Sequence, residues 1–100
     1  MLTIDLRNTK KKVSQALEEH SVALSMEIVA CVCDAIDRDI SRVTTAVILT
    51  DSEVYSFTAS RSFYEQTLRC NIVFLARVEL YEMCAQAKTY ADRLSVKLLN

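Results

Sequence analysis

The 100-residue chain contains no glycine, no proline and no tryptophan. Average composition would supply roughly seven glycines and five prolines at this length. Glycine is the usual residue for a left-handed backbone and proline presets many turns, so the turns here must fall on Asn, Asp, Ser and Thr. We therefore expect few, simple connections, which favours long helices over a many-stranded sandwich or barrel.

The lack of glycine also excludes two kinds of active site. A glycine-rich phosphate-binding loop cannot form, because no residue lets the backbone approach a phosphate closely. A nucleophile turn of the Gly-x-Ser-x-Gly type is excluded for the same reason. The one histidine, His20, follows two glutamates at a polar helical position, where we expect it to be exposed. The sequence therefore predicts a protein that is not an enzyme and has no cofactor.

The charge of the chain is nearly balanced, with a net value of −1. Residues 1–50 hold six basic and seven acidic side chains, and residues 51–100 hold six of each. Such a balance gives no generic attraction to nucleic acid or to an anionic membrane. The N-terminus lacks the apolar region of a signal peptide, and no apolar run reaches the ~18–20 residues that span a bilayer. We expect a cytoplasmic protein with no membrane partner.

One basic cluster stands out near the N-terminus. It consists of Arg7, Lys10, Lys11 and Lys12. Such residues make salt-sensitive contacts to phosphates that carry no sequence information. No aromatic residue lies among them, so a stacking platform for single strands is not indicated. Nucleic-acid contact is therefore one hypothesis for this segment, and a simple solvated segment is the other.

Two groups of potential metal ligands have simpler explanations. The cysteines are Cys31, Cys33, Cys70 and Cys84, and the clustered carboxylates are Asp34, Asp37 and Asp39. The cysteines lie among apolar residues without the two close pairs of a zinc site, so we expect buried free thiols. The carboxylates have no glycine to bend a loop around an ion, and Arg38 and Arg42 are available as counter-charges. We predict no metal site.

Apolar spacing and residue type divide the chain into elements. Residues 2–6 alternate in polarity, which predicts a short strand. Residues 13–40 show helical spacing, and the carboxylates near the end predict that this helix finishes between about 37 and 41. Residues 43–58 hold eight of the twenty-four Val, Ile and Thr residues, which favours strands turning at Asp51 and Ser52.

The last segment, residues 62–97, has the spacing of one long helix. Ser62 and Glu65 fit a capping box at its start. A straight helix of this length would be roughly 50 Å long, which exceeds a compact domain of ~13 Å radius of gyration. We expect it to break near residues 85–88 or to extend towards a partner.

These elements predict one small globular domain, residues 1–100, of a helix-dominated α+β class. Two long amphipathic helices flank a β-hairpin at about 43–59. The hairpin turn lacks the Asn-Gly or Asp-Gly that a tight turn prefers. An all-α helical bundle, with Asp51 or Ser52 capping a short helix, therefore stays open.

The stretch around the second hairpin strand carries the parts of an anion site. Hydroxyls, guanidinium groups and a predicted helix N-terminus are brought together there. The candidate ligand-binding residues are Ser60, Arg61, Ser62, Tyr64 and Arg69. Glu65 in the same turn argues against a dedicated phosphate pocket, because its charge repels an anion.

The apolar arcs at residues 22–36 and 68–84 are broader than a helix pair and one hairpin can cover. Uncovered apolar surface normally marks an interface. Phe74, Val78 and Tyr81 lie near the middle of the last segment and are the predicted oligomer interface.

The leading functional hypothesis is a non-enzymatic interaction module that binds an unidentified protein partner stoichiometrically as a homo-oligomer. Regulators and inhibitors carried by phages and mobile elements are proteins of this kind. The alternative is a protein that binds a small molecule, a nucleotide or another anion through the residues around Arg61. Nucleic-acid contact through the N-terminal basic cluster is third.

Overall fold

Residues 1–99 form a three-stranded sheet with four α-helices and one short 3₁₀ turn. The computed structural model describes the backbone of residues 1–99 and the side chains of residues 1–95. The strands are β1 (Leu2–Asp5), β2 (Arg42–Leu49) and β3 (Val54–Ser60), and the helices are α1 (Val13–Glu19), α2 (Ser21–Asp37), α3 (Tyr64–Arg77) and α4 (Tyr81–Leu99). The helix-dominated α+β class and the hairpin at 43–59 are confirmed, and the all-helical alternative is wrong.

The sheet has the order β1-β2-β3. Strand β1 runs parallel to β2, so the chain must cross over between them, and α1 with α2 is that crossover. Strands β2 and β3 form the antiparallel hairpin. Ile48 lies opposite Ile4 and is fully buried, whereas its neighbours Val47 and Leu49 are only half-buried on the other face. Among the described residues, the helices therefore cover one face of the sheet and leave the other open.

Two apolar clusters fill the covered face. The smaller joins the sheet to α1 through Ile4, Leu6, Ala16 and Ile48. The larger joins α2, α3 and α4 to the carboxyl end of the hairpin, and its buried residues include Val29, Val32, Leu68, Leu75, Ala87 and Ala91. Ala87 and Ala91 of α4 are fully buried, and their small side chains let α4 pack closely on its neighbours.

The long final helix breaks earlier than expected, between Arg77 and Tyr81 rather than at residues 85–88. Glu79 takes a left-handed backbone with φ of 63°. The N–H of Leu80 then donates to the carbonyl of Leu75 at 3.0 Å, which ends α3 in a Schellman turn. The spacing missed this break because the apolar period continues through it.

A left-handed residue also ends α2. The backbone of Asp39 has φ of 55°, and the N–H of Ile40 donates to the carbonyl of Ala35 at 2.8 Å. The helix ends at Asp37, within the predicted 37–41 window. With no glycine available, the left-handed positions fall on Asn8, Asp39 and Glu79, and only the glutamate departs from the expected residue types.

The expected capping box at the start of α3 is wrong. Ser62 lies inside a 3₁₀ turn, Arg61–Phe63, and α3 begins at Tyr64 without a side-chain cap. A capping serine needs an extended backbone, and here that conformation occurs two residues earlier, at Ser60. No helix within residues 1–99 is long and apolar enough to cross a membrane.

Candidate functional site

A groove of about 1060 Å³ lies between the end of β3, the 3₁₀ turn, α3 and α4. We call it the α3 groove. It is lined by Ser41, Ser60, Arg61, Ser62, Glu65, Gln66, Arg69, Cys70, Val73 and Leu94. The structure thus brings together four of the five predicted ligand-binding residues: Ser60, Arg61, Ser62 and Arg69. Ser60, Arg61 and Ser62 are neighbours in the sequence. Arg69 lies one helical turn after Glu65, on the same face of α3.

The fifth predicted residue, Tyr64, lies beneath the groove rather than in it. Its side chain is 1% exposed, and its hydroxyl donates a 2.8 Å hydrogen bond to the carbonyl of Ile40. Burial raises the pKa of the Tyr64 hydroxyl, so it stays protonated as a donor. Tyr64 therefore anchors the start of α3 to the connection between α2 and β2.

Arg61 lies at the groove wall and binds the end of α2. Its Nη2 donates to the carbonyl of Asp39 at 2.9 Å and to the carboxylate of the same residue at 2.8 Å. Its backbone N–H donates to the carbonyl of Ser41 at 2.8 Å. The guanidinium also faces the negative end of the α2 dipole, so both its charge and its donors serve this contact.

Arg69 contacts two carboxylates, Glu65 on its own helix α3 and Asp92 on α4. Its Nε donates to Glu65 at 3.0 Å, and its Nη2 donates to Asp92 at 3.2 Å. Asp92 also accepts from Lys88 at 2.8 Å, and these two cations hold the pKa of Asp92 below its usual value. Both groove arginines therefore already face carboxylates. Exposed pairs of this kind contribute little to stability, but an anion entering the groove must compete with them.

The remaining groove residues are uncharged. They are Ser41, Ser60, Ser62, Gln66, Cys70, Val73 and Leu94. Pockets for drug-sized ligands are typically ~300–1,000 Å³. The α3 groove lies just above that range and is open along its length. Its hydroxyls and amide can hydrogen-bond a polypeptide backbone, and its carbon surface can bury apolar side chains.

The predicted oligomer residues do not share one environment. Phe74 is half-buried and packs against the larger core cluster. Val78 and Tyr81 lie at the turn between α3 and α4, and they are 37% and 63% exposed. Sequence reasoning missed Val73 and Phe63, which are 56% and 58% exposed. Helical spacing from Gln66 through Cys70 places Val73 on the outer face of α3, a signal that was present in the sequence.

The N-terminal basic cluster is partly neutralised. Arg7 makes two side-chain hydrogen bonds to Asp5, at 3.0 and 2.8 Å, and these hold the pKa of Asp5 at about 2. Lys11 contacts Glu19 at 2.8 Å. Lys10 and Lys12 are exposed. With two of the four cations paired, this segment offers little concentrated positive charge to a phosphate backbone.

The thiols differ in exposure, which corrects the expectation that all four are buried. All four are free; Cys33 is buried, Cys31 and Cys84 are half-buried, and Cys70 is exposed in the α3 groove. Burial raises the pKa of the Cys33 thiol to about 11. Burial and the carboxylate of Glu27 raise the pKa of Cys31. Neither thiol is activated as a nucleophile.

The three carboxylates at the end of α2 each pair with an arginine, two of them with arginines of other elements and one within the end of α2. The pairs are Asp34 with Arg38, Asp37 with Arg93, and Asp39 with Arg61. Asp37 also accepts a hydrogen bond from the hydroxyl of Tyr90, whose ring lies under the Arg93 guanidinium at 4.2 Å. Within the described residues, no group of three or more His, Cys, Asp or Glu side chains could hold a metal ion. His20 is exposed at the junction of α1 and α2.

Comparisons with protein-family models, with curated proteins and with solved structures found no match to this chain. Its function is therefore inferred from its residues and their geometry.

Proposed function

We propose that this protein is a non-enzymatic interaction module that binds a segment of a partner protein in the α3 groove, at one partner per chain. It works as a homo-oligomer in the cytoplasm, in the manner of small phage or mobile-element regulators and inhibitors. The observation that carries the proposal is the groove itself: a long, open, largely uncharged surface whose two arginines are already paired.

The size of the groove favours a polypeptide over a small ligand. Ligand pockets bury most of a small molecule's surface, which requires enclosure on several sides. The α3 groove, at about 1060 Å³, is open to solvent along α3. A helix or an extended segment of a partner fills such a shape, because it can contact Val73 and Leu94 while its ends continue into the partner.

The charges of the groove support the same ligand class. Arg61 and Arg69 are matched by Asp39, Glu65 and Asp92. A dedicated anion site presents donors that lack other partners, whereas here each guanidinium already has a carboxylate. A neutral segment enters without breaking these pairs.

The shape of the molecule also fits a binding module. Its Cα radius of gyration is 14.6 Å, above the ~13 Å expected for a compact 100-residue domain. Its extents are 50 × 29 × 16 Å. The smallest extent shows a thin molecule, which exposes more surface per residue than a sphere does. Small domains gain much of their stability from burying such surface, so partners that cover it also stabilise the fold.

Cys70 provides a direct test, because it is the exposed thiol of the groove. A benzophenone attached to Cys70 is irradiated in a native lysate, and adducts are identified by mass spectrometry. We expect one adduct whose mass equals the labelled chain plus a single partner chain. The matched control carries Cys70→Ser with Ala30→Cys, which moves the label to an exposed position of α2. No adduct, or the same adduct from both labels, would contradict binding in the groove.

Anion binding is the second candidate, because Arg61 and Arg69 do line one groove together. It requires the ligand to displace Asp39 or Glu65 from its arginine. Phosphate titrations of the arginine variants separate this candidate from the first.

A further inference from the structure

Strand β3 lies at an open edge of the sheet. It pairs with β2 on one side, and no strand among the described residues lies on its other side. Because only one edge of β3 is paired, alternate backbone N–H and carbonyl groups point away from β2. The first three residues of the strand, from Val54 to Ser56, are exposed, as is Thr58. The free edge is therefore accessible along most of its length.

Soluble proteins usually protect such an edge. They shorten it, place charges or proline in it, kink it with a bulge, or cover it with another element. Strand β3 has seven residues, VYSFTAS, with no charge and no proline. The pairing register of the hairpin shifts at Thr45, so its one extra residue is in β2 and not in β3. The opposite edge differs: β1 has four residues and includes Asp5. The sequence thus protects one edge and not the other.

We propose that β3 pairs antiparallel with β3 of a second copy around a twofold axis, joining the two sheets into one of six strands. The unpaired backbone groups select an extended strand as the occupant. A twofold contact must be self-complementary, and an uncharged strand meets this condition because no like charges oppose each other. The β3 contact is then the interface of the homo-oligomer, and its proposal rests on the homo-oligomer of the proposed function.

One register pairs all seven residues of both strands, and it is centred on Phe57. In this register Ser56 lies opposite Thr58 of the partner subunit, and both side chains are on the open face of the sheet. This register therefore opposes no like charges, and every residue of one strand meets a residue of the other. An arbitrary peptide has no such match, which favours a second copy of this chain.

The test is the molar mass by light scattering at micromolar concentration. We expect the wild type at twice the 11.3 kDa chain mass. Ser56→Lys with Thr58→Lys places a lysine opposite a lysine in both pairs, so this variant should have the mass of one chain. Ser56→Lys with Thr58→Glu places opposite charges in the same pairs and should recover the dimer. Circular dichroism confirms that each exposed substitution leaves the fold intact.

Two controls separate this contact from others. Thr3→Lys, an exposed position on the β1 edge, should leave the dimer intact, and so should Val78→Asp at the turn between α3 and α4. A dimer that survives the double lysine variant, or that Val78→Asp alone dissociates, would overturn β3 pairing. A monomeric wild type would overturn both β3 pairing and the homo-oligomer. None of these results changes the Cys70 crosslink, which tests partner binding in the groove separately.

Discussion

The hydroxyl of Tyr64 donates a 2.8 Å hydrogen bond to the backbone carbonyl of Ile40, 24 residues earlier in the chain. This bond fixes the first residue of α3 against the connection between α2 and β2. The floor of the α3 groove is thereby tied to the core, while its rim carries exposed ion pairs.

Tyr64→Phe should destabilise the protein by about 1–2 kcal/mol, because it leaves the carbonyl of Ile40 without its buried donor. For a domain of this size, each kcal/mol lowers the melting temperature by roughly 4–8 °C. Urea unfolding measures the change. Tyr81→Phe is the matched control, since Tyr81 is 63% exposed, and it should have no measurable effect.

Glu79→Gly should stabilise the protein. A left-handed backbone costs a residue with a Cβ about 1–2 kcal/mol, and glycine avoids that cost. Glycine also loses more backbone entropy on folding, by roughly 0.5–1 kcal/mol, so the net gain is about 0.5–1 kcal/mol. Thermal unfolding of Glu79→Gly and Glu79→Ala separates the causes. An equal gain in the alanine variant would mean that the lost charge, not the backbone, is responsible.

Millimolar phosphate should leave the wild-type melting temperature unchanged, because Arg61 and Arg69 already contact carboxylates. If the groove is an anion site, phosphate raises that temperature by mass action. The rise would then disappear in Arg61→Ala and in Arg69→Ala. A thermal-shift titration with chloride at equal ionic strength as control distinguishes the two outcomes.

One thiol should react quickly with a thiol reagent in the native protein, and the other three should react slowly. Cys70 is exposed, whereas the pKa of Cys33 is raised to about 11 and the Cys31 thiol is half-buried. Only the thiolate reacts, so the exposure of Cys70 favours its reaction, whereas the raised pKa of Cys33 slows the reaction of that thiol. Cys70→Ser should remove the fast phase, and denaturation should release four thiols from the wild type. A fast phase that persists in Cys70→Ser would contradict the assigned exposures.

Stability should fall as the pH is lowered from about 4 towards 2. Arg7 holds the pKa of Asp5 at about 2, below its usual 3.8, and the pKa values of Asp37 and Asp92 are also lowered by their partners. A folded-state pKa below the unfolded value means that the unfolded chain binds more protons, so this stability is present above pH 4 and is lost as the pH falls. Carboxyl NMR titration checks the values, and Arg7→Gln should return the Asp5 titration towards pH 4.

Several features of the fold were readable from local sequence. The density of Val, Ile and Thr at residues 43–58 located the hairpin, because β-branched side chains fit a pleated, half-buried surface. The alternation over residues 2–6 located β1, and the carboxylates at 37–39 located the end of α2. Ser60, Arg61 and Ser62 are consecutive in the sequence, so the sequence alone predicted that they would lie together, and they form one wall of the groove. Each of these signals depends on neighbours within a few residues.

What the tertiary structure decided is which distant groups meet. Arg61 pairs with Asp39, 22 positions away, and Arg69 pairs with Asp92, 23 positions away. The sequence offered both arginines as anion ligands, but in the fold each already contacts a carboxylate. The break at Glu79 and the free edge of β3 also appeared only with the structure. Periodicity reports which face of an element is apolar, but it carries no information on which other element that face contacts. Pairing, helix breaks under a continuous apolar period and open sheet edges depend on the packing of the whole chain.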